Sequence, residues 1–138
     1  MNLSYLITPF FTWFLTGCIK FAINSIKEKR LAFDLIGYGG MPSNHSAIVS
    51  SAVVIIVFQE GIESPVLVVA LALAFIVILD ANNLRQQIGK HAKAINSLSQ
   101  SDNMIKLRER MGHTRLEILS GIMLGFLSAV IVNLIFKY

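Results

Sequence analysis

The chain has 138 residues, 54% hydrophobic and only 14% charged, with a formal net charge of +4. A soluble domain carries about a quarter charged residues, so this deficit and a mean hydropathy of +0.65 exclude an ordinary soluble domain and point to a membrane. A single cysteine, Cys18, excludes an intrachain disulfide, and its place in an apolar run reads as a packing role.

Met1 to Thr8 carries no Lys or Arg. A signal peptide begins with a basic stretch, so the first apolar run, Leu3 to Ile26, is read as a retained span. Lys27 to Asn44 is polar and ends in the glycine-rich GYGGMPSNH. Ser46 to Glu60 and Pro65 to Leu79 are the second and third apolar runs, joined by QEGIESP, whose Gly and Pro predict a tight hairpin turn. Both are short against the roughly 20 residues of a bilayer crossing and need polar-ended turns or a thinned bilayer. Asp80 to Arg115 is polar again. Within it a helix is predicted over Leu84 to Leu98, with Leu84, Ile88, Ala92 and Ile95 on one face, suited to lying along the membrane surface. Leu116 to Phe136 is the fourth apolar run. The fold expected is one all-α domain over residues 1–138, a polytopic membrane bundle of four spans plus a surface helix.

Four crossings put both polar segments on one side. That side holds 11 of the 12 Lys and Arg residues, with Lys137 alone opposite. The positive-inside rule then places this face in the cytoplasm, consistent with a bacterial inner membrane.

Chemistry concentrates in three segments. In Gly40-Met41-Pro42-Ser43-Asn44-His45, a glycine allows close backbone approach, Ser43 or Asn44 can cap a helix, and the helix start offers free N–H groups to a phosphate. His45 sits there, able to give or take a proton. A capped helix with an incidental histidine fits the same residues. In the second segment, His113 and Glu117 are four apart and would share a helix face, the carboxylate holding one imidazole nitrogen and freeing the other. Arg108, Arg110 and Arg115 surround them; arginine forks suit phosphate oxygens, although Arg110 and Arg115 read equally as anchors at an anionic leaflet. In the third, Asp80 ends a span and can pair with Arg85, with Lys90 nearby, while His91 reads as a surface residue. No HExxH or CxxC spacing supports a metal. Gly121 and Gly125 form GxxxG, a close-packing signal within the molecule or between copies.

The segments GGMPSNHSA, DANNLRQQIGKHA and GHTRLEILSG resemble those of the divergent PAP2 family, from about Lys20 to the C-terminus. The wider PAP2 superfamily consists largely of membrane lipid-phosphate phosphatases that work through a phosphohistidine. The resemblance implies His113 as nucleophile, Glu117 as its orienting acid and His45 as the proton donor to the leaving group. Asn44 stands where the superfamily has glycine, and Glu117 where it has aspartate. Arg85, Lys90 and Arg108, with Ser43, Asn44 and Gly40, would hold the phosphate, supported by Asp80. Of two substitutes for the superfamily's first basic motif, Lys29 with Arg30 or Arg85 with Lys90, the second pair is preferred. The partners implied are a lipid phosphate, such as a polyprenyl (di)phosphate or phospholipid phosphate, and the bilayer; the GxxxG of Gly121 and Gly125 separately allows a homo-oligomer. No cofactor, metal or nucleic acid is implied. The alternative is a non-catalytic relative serving as a partner or lipid-binding subunit.

Overall fold

The computed structural model describes residues 3–33, 40–98 and 105–136, and every regular element among them is helical. The elements are α1 (Ser4–Glu28), α2 (Asn44–Glu60), α3 (Pro65–Asn82), α4 (Leu84–Leu98) and α5 (Arg115–Ile135). Local chemistry sets their ends. Lys29 takes a left-handed conformation (φ 52°) and closes α1. The Ser43 hydroxyl caps α2, and Pro65 opens α3 at a position where its missing N–H costs nothing. Thr114 and Glu117 form a reciprocal capping box at the start of α5.

This is an all-α membrane bundle. Bonds at its two ends fix the helix directions. At one end, Tyr5 donates to Glu60 at 2.9 Å, Gln59 donates to Asn133 at 2.9 Å, and Ser64 donates to Glu60. At the other, the Ser43 N–H donates to Glu117 O and the His113 N–H to Ala81 O, each at 3.0 Å. So α1 and α3 run one way, α2 and α5 the other. Both polar segments meet at a single end, as four alternating stretches require.

Among the described residues, three apolar segments are long enough to cross a membrane, beginning at Ser4, Pro65 and Arg115. α2 has 17 residues, or about 26 Å at 1.5 Å per residue, slightly under a ~30 Å hydrocarbon core. It can be short because it is the central helix, packed by α1, α3 and α5. The helices begin or end up to three residues outside the apolar runs, since caps rather than hydropathy set their limits.

Burial is inverted relative to a water-soluble core. Large apolar side chains, among them Phe10, Phe14, Val69, Phe75 and Leu134, face outward, as lipid contact demands. Much of the interior is small and hydroxylated: Ser46, Ala47, Ser51, Ser128 and Ala129 are fully buried, beside the larger Ile55 and Val132. Small residues let backbones approach, and van der Waals packing then holds helices that lipid would solvate equally well. Gly121 and Gly125 belong to this interior. A Cβ on either would strike the α2 backbone, at Ser43 O and Ala47 O respectively. The GxxxG face is therefore occupied within the chain, the first of the two uses that its sequence left open. Cys18 is also corrected: it is exposed on the outer surface of α1, not packed inside.

The buried face of α1 departs from its sequence appearance. Although the run is rich in Phe and Leu, its buried residues are Ser4, Thr8, Thr12, Thr16 and Lys20. Their spacing of four makes one stripe along the helix. Each threonine hydroxyl donates to the carbonyl four residues earlier, at 2.6, 2.8 and 2.6 Å in order, so the three threonines are satisfied by their own helix.

Candidate active site

The site lies where α2 and α5 begin and α3 ends. His113 stands just before α5, not on it, so the two-residue helical face expected of His113 and Glu117 is replaced by a tighter device. Thr114 is the N-cap; Glu117, three residues on, turns its carboxylate back to accept the Thr114 N–H at 3.0 Å. The same Oε2 lies 3.2 Å from His113 Nδ1. One carboxylate oxygen thus caps the helix and fixes the imidazole. With Nδ1 facing an acceptor it carries the proton, and Nε2 keeps its lone pair.

The His113 backbone is held from two sides: its N–H by Ala81 O, its carbonyl by the Gln86 side-chain amide at 2.8 Å. The ring is buried, 7% exposed. Burial pushes its pKa below the ordinary histidine value, and the Lys20 ammonium pushes the same way; the Glu117 hydrogen bond opposes them. A neutral imidazole results, the form a nucleophile needs.

His45 occupies the first turn of α2, exposed at the site, where the charges of Arg85, His113, Lys20 and Asp80 all reach its ring. Its neighbours define the helix start. Ser43 is buried; its hydroxyl accepts from the Ser46 hydroxyl at 3.0 Å and from the Ser46 N–H at 3.4 Å. Its own N–H is committed to Glu117 O, so the helix-start N–H groups that could meet an anion are those of the turn that follows, at Asn44 and His45. Asn44 Oδ1 is buried without a hydrogen-bond partner. Gly40 has φ +134°, a conformation that side chains resist, and lines a cavity of about 390 Å³ together with Gln86, Arg110, Gly112, His113 and Glu117.

The expected cations divide. Arg85 donates from Nε to Asp80 Oδ2 at 2.7 Å, and its field reaches both histidines. Arg108 is exposed and bonds the Arg110 carbonyl at 3.3 Å, and its charge is felt at Lys20. Lys90 is exposed on α4; the described cations whose fields reach the histidines are Lys20 and Arg85. The chain folds back over α4: Asn96 bonds Leu107 O and Glu109, and Gly89 lies under the Glu109 backbone. Asp34 to Gly39, which include the start of the glycine-rich run, lie outside the described residues.

Sequence reasoning missed Lys20. It counts among the cations of the polar face, yet it lies within α1, only 3% exposed, at the foot of the hydroxyl stripe. Glu117, His113 and His45 all feel its charge. The four-residue series Ser4, Thr8, Thr12, Thr16, Lys20 was the available signal.

This arrangement of two histidines, a carboxylate and cations matches the motifs along the chain, and the family model of the divergent PAP2 family matches residues 1–128. The chain belongs to the divergent PAP2 family. This family member is also similar to the uncharacterized membrane protein YuiD of Bacillus subtilis (strain 168), at 28% identity, with 86% of each chain covered. No solved structure matches this PAP2-like chain.

Proposed function

We propose that this protein is a lipid-phosphate phosphatase working at one face of the bilayer through a phosphohistidine. The observation that carries the reading is His113: buried, neutral, fixed at Nδ1 by Glu117 and free at Nε2. His113 Nε2 attacks phosphorus, forming a P–N bond as the P–O bond to the lipid breaks. His45 gives its proton to the departing oxygen. Lys20 and Arg85, with the first-turn N–H groups of α2, hold the remaining phosphate oxygens, a charge-stabilising arrangement typical of phosphoryl transfer. Water activated by His45 then displaces the histidine and releases phosphate. Lys20 takes the place of the first basic motif, in preference to Lys90. Substrates with the phosphate at headgroup level, polyprenyl or glycerolipid, fit a site at the end of a bundle.

The test is phosphate release from a panel of lipid phosphates by purified protein in detergent, with chelator and no added metal. Release that disappears in His113→Ala supports the reading. A folded protein that releases no more phosphate than His113→Ala on every lipid refutes it and leaves a lipid-binding subunit.

The site end faces the cytoplasm in this proposal, since it carries 11 of the 12 basic side chains. In a Cys18→Ser background, Lys93→Cys should label only from the cytoplasmic side and Glu63→Cys only from the opposite side. The reverse pattern overturns the orientation.

A further inference from the structure

The outer surface of α1 is furrowed on the side of α2. One furrow, of about 350 Å³, is lined by Pro9, Phe10, Trp13 and Ile48. A second, of about 260 Å³, shares Trp13 and continues past Gly17 and Phe21 to Asn44. Together they run from Pro9 to Phe21, roughly 18 Å at 1.5 Å per residue. That is about the depth of one leaflet, half of a ~30 Å hydrocarbon core.

Three observations assign the occupant. Apart from the Cys18 thiol, the lining is hydrocarbon and aromatic until Asn44, which lies between Ser43 and His45 of the candidate site. The end at Asn44 adjoins His45, whose ring the charges of Lys20 and Arg85 reach, with that of Asp80. The floor at Gly17 is open, since a Cβ there would meet nothing within 4 Å. An apolar trough one leaflet deep, closed by cations and a helix start, is complementary to an anionic amphiphile lying in one leaflet.

We propose that this furrow holds one hydrocarbon chain of a lipid phosphate, with the phosphate at the His45 and His113 end. The proposal rests on the reading of that end as a phosphate site, but it concerns binding and is separable from catalysis. It makes Gly17 a determinant of which chains enter, because any larger side chain there projects into the trough.

The chain carries one tryptophan, Trp13, and it lies in the trough, 57% exposed. It is a native reporter. Full-length protein in phosphatidylcholine nanodiscs is titrated with phosphatidate brominated along its acyl chain, and Trp13 fluorescence is read. Expected is saturable quenching at a few mole per cent, several-fold above that from equally brominated phosphatidylcholine, and abolished by Gly17→Leu. Equal quenching by the two lipids in the unmodified protein would show an ordinary lipid-facing surface and overturn the proposal, with no variant needed. His113→Ala separates the two claims. Phosphatidate-selective quenching that survives in this variant supports the trough even when no lipid releases phosphate. Phosphate release without selective quenching leaves catalysis standing and removes the trough.

Discussion

Gly121→Ala probes directly how the site is held together. A Cβ there would lie 2.5 Å from the Ser43 carbonyl oxygen, 3.1 Å from Ser46 Cβ and 3.2 Å from Ser43 Cβ. Ordinary contacts to a methyl group run at about 3.5–4 Å, so α5 must retreat from α2 by roughly 1 Å at this level. One turn earlier, the Ser43 N–H reaches Glu117 O at 3.0 Å, and such a retreat breaks that bond. Overpacking costs about 1–3 kcal/mol and the lost hydrogen bond about 1 kcal/mol. Replacing glycine by alanine in a helix interior returns about 0.5–1 kcal/mol. The net expectation is a loss of about 1–3 kcal/mol, with Ser43 and His45 displaced from His113 and Glu117. Gly17→Ala is the matched control. It meets nothing within 4 Å, keeps only the helical gain and should be neutral or slightly stabilising. Denaturant unfolding of both variants in one detergent, followed by circular dichroism, measures the pair. Gly121→Ala as stable as the parent, or Gly17→Ala losing as much, refutes the close α2–α5 packing as the cause.

Four further outcomes follow from the geometry. Glu117→Gln keeps a side chain able to complete the capping box but removes the negative charge beside His113, so phosphate release should fall sharply while the unfolding midpoint holds; a parallel collapse of both would make Glu117 purely structural. His113 titrates below the ordinary ~6.5 of histidine because of burial and Lys20, so the acid limb of the activity profile should lie below that value and move upward in Lys20→Met. The fold binds fewer protons on this ring than the unfolded chain does, so its contribution to stability is complete above about pH 6.5 and is lost as pH falls through the lowered pKa; denaturant midpoints at pH 7.5 and 5.5 check the sign. Thr12→Val, which removes only a hydroxyl bonded within its own helix, should cost under about 1 kcal/mol, whereas Thr12→Leu should overpack the α1 interface by about 1–3 kcal/mol; equal effects would mean that the stripe is loosely packed.

The bundle was legible because hydropathy is a property of whole segments: four apolar runs and the turn at Gly61 locate α1, α2, α3 and α5 without any pairwise contact. The helix start at Ser43 was legible for a similar reason, since capping is local chemistry. Less legible was anything set by which side of a helix faces inward. Lys20 and Lys90 look alike as isolated cations, yet one is buried at the foot of α1 and the other is exposed on α4. The pairing of His113 with Glu117 was foreseen from their spacing of four, but its cause was not. The sequence Thr114 to Glu117 is a capping signature, and it places the histidine one residue outside the helix that was expected to carry it. The glycines of α5 announced close packing but could not say against what; the parallel approach of α2 settles it.

The hydroxyl stripe of α1 sets how that helix can move. Thr8, Thr12 and Thr16 direct their bonds along their own helix, so in mid-membrane they supply no cross-links to α2 or α5. Cross-links gather at its extremities, with Tyr5 tied to Glu60 and Lys20 set among the charges of the polar end. A rod fastened at both ends and unlatched between them can bow outward without breaking a directional bond. Its middle turns are those that border the trough, so the wall most able to yield is the one a guest chain would have to part.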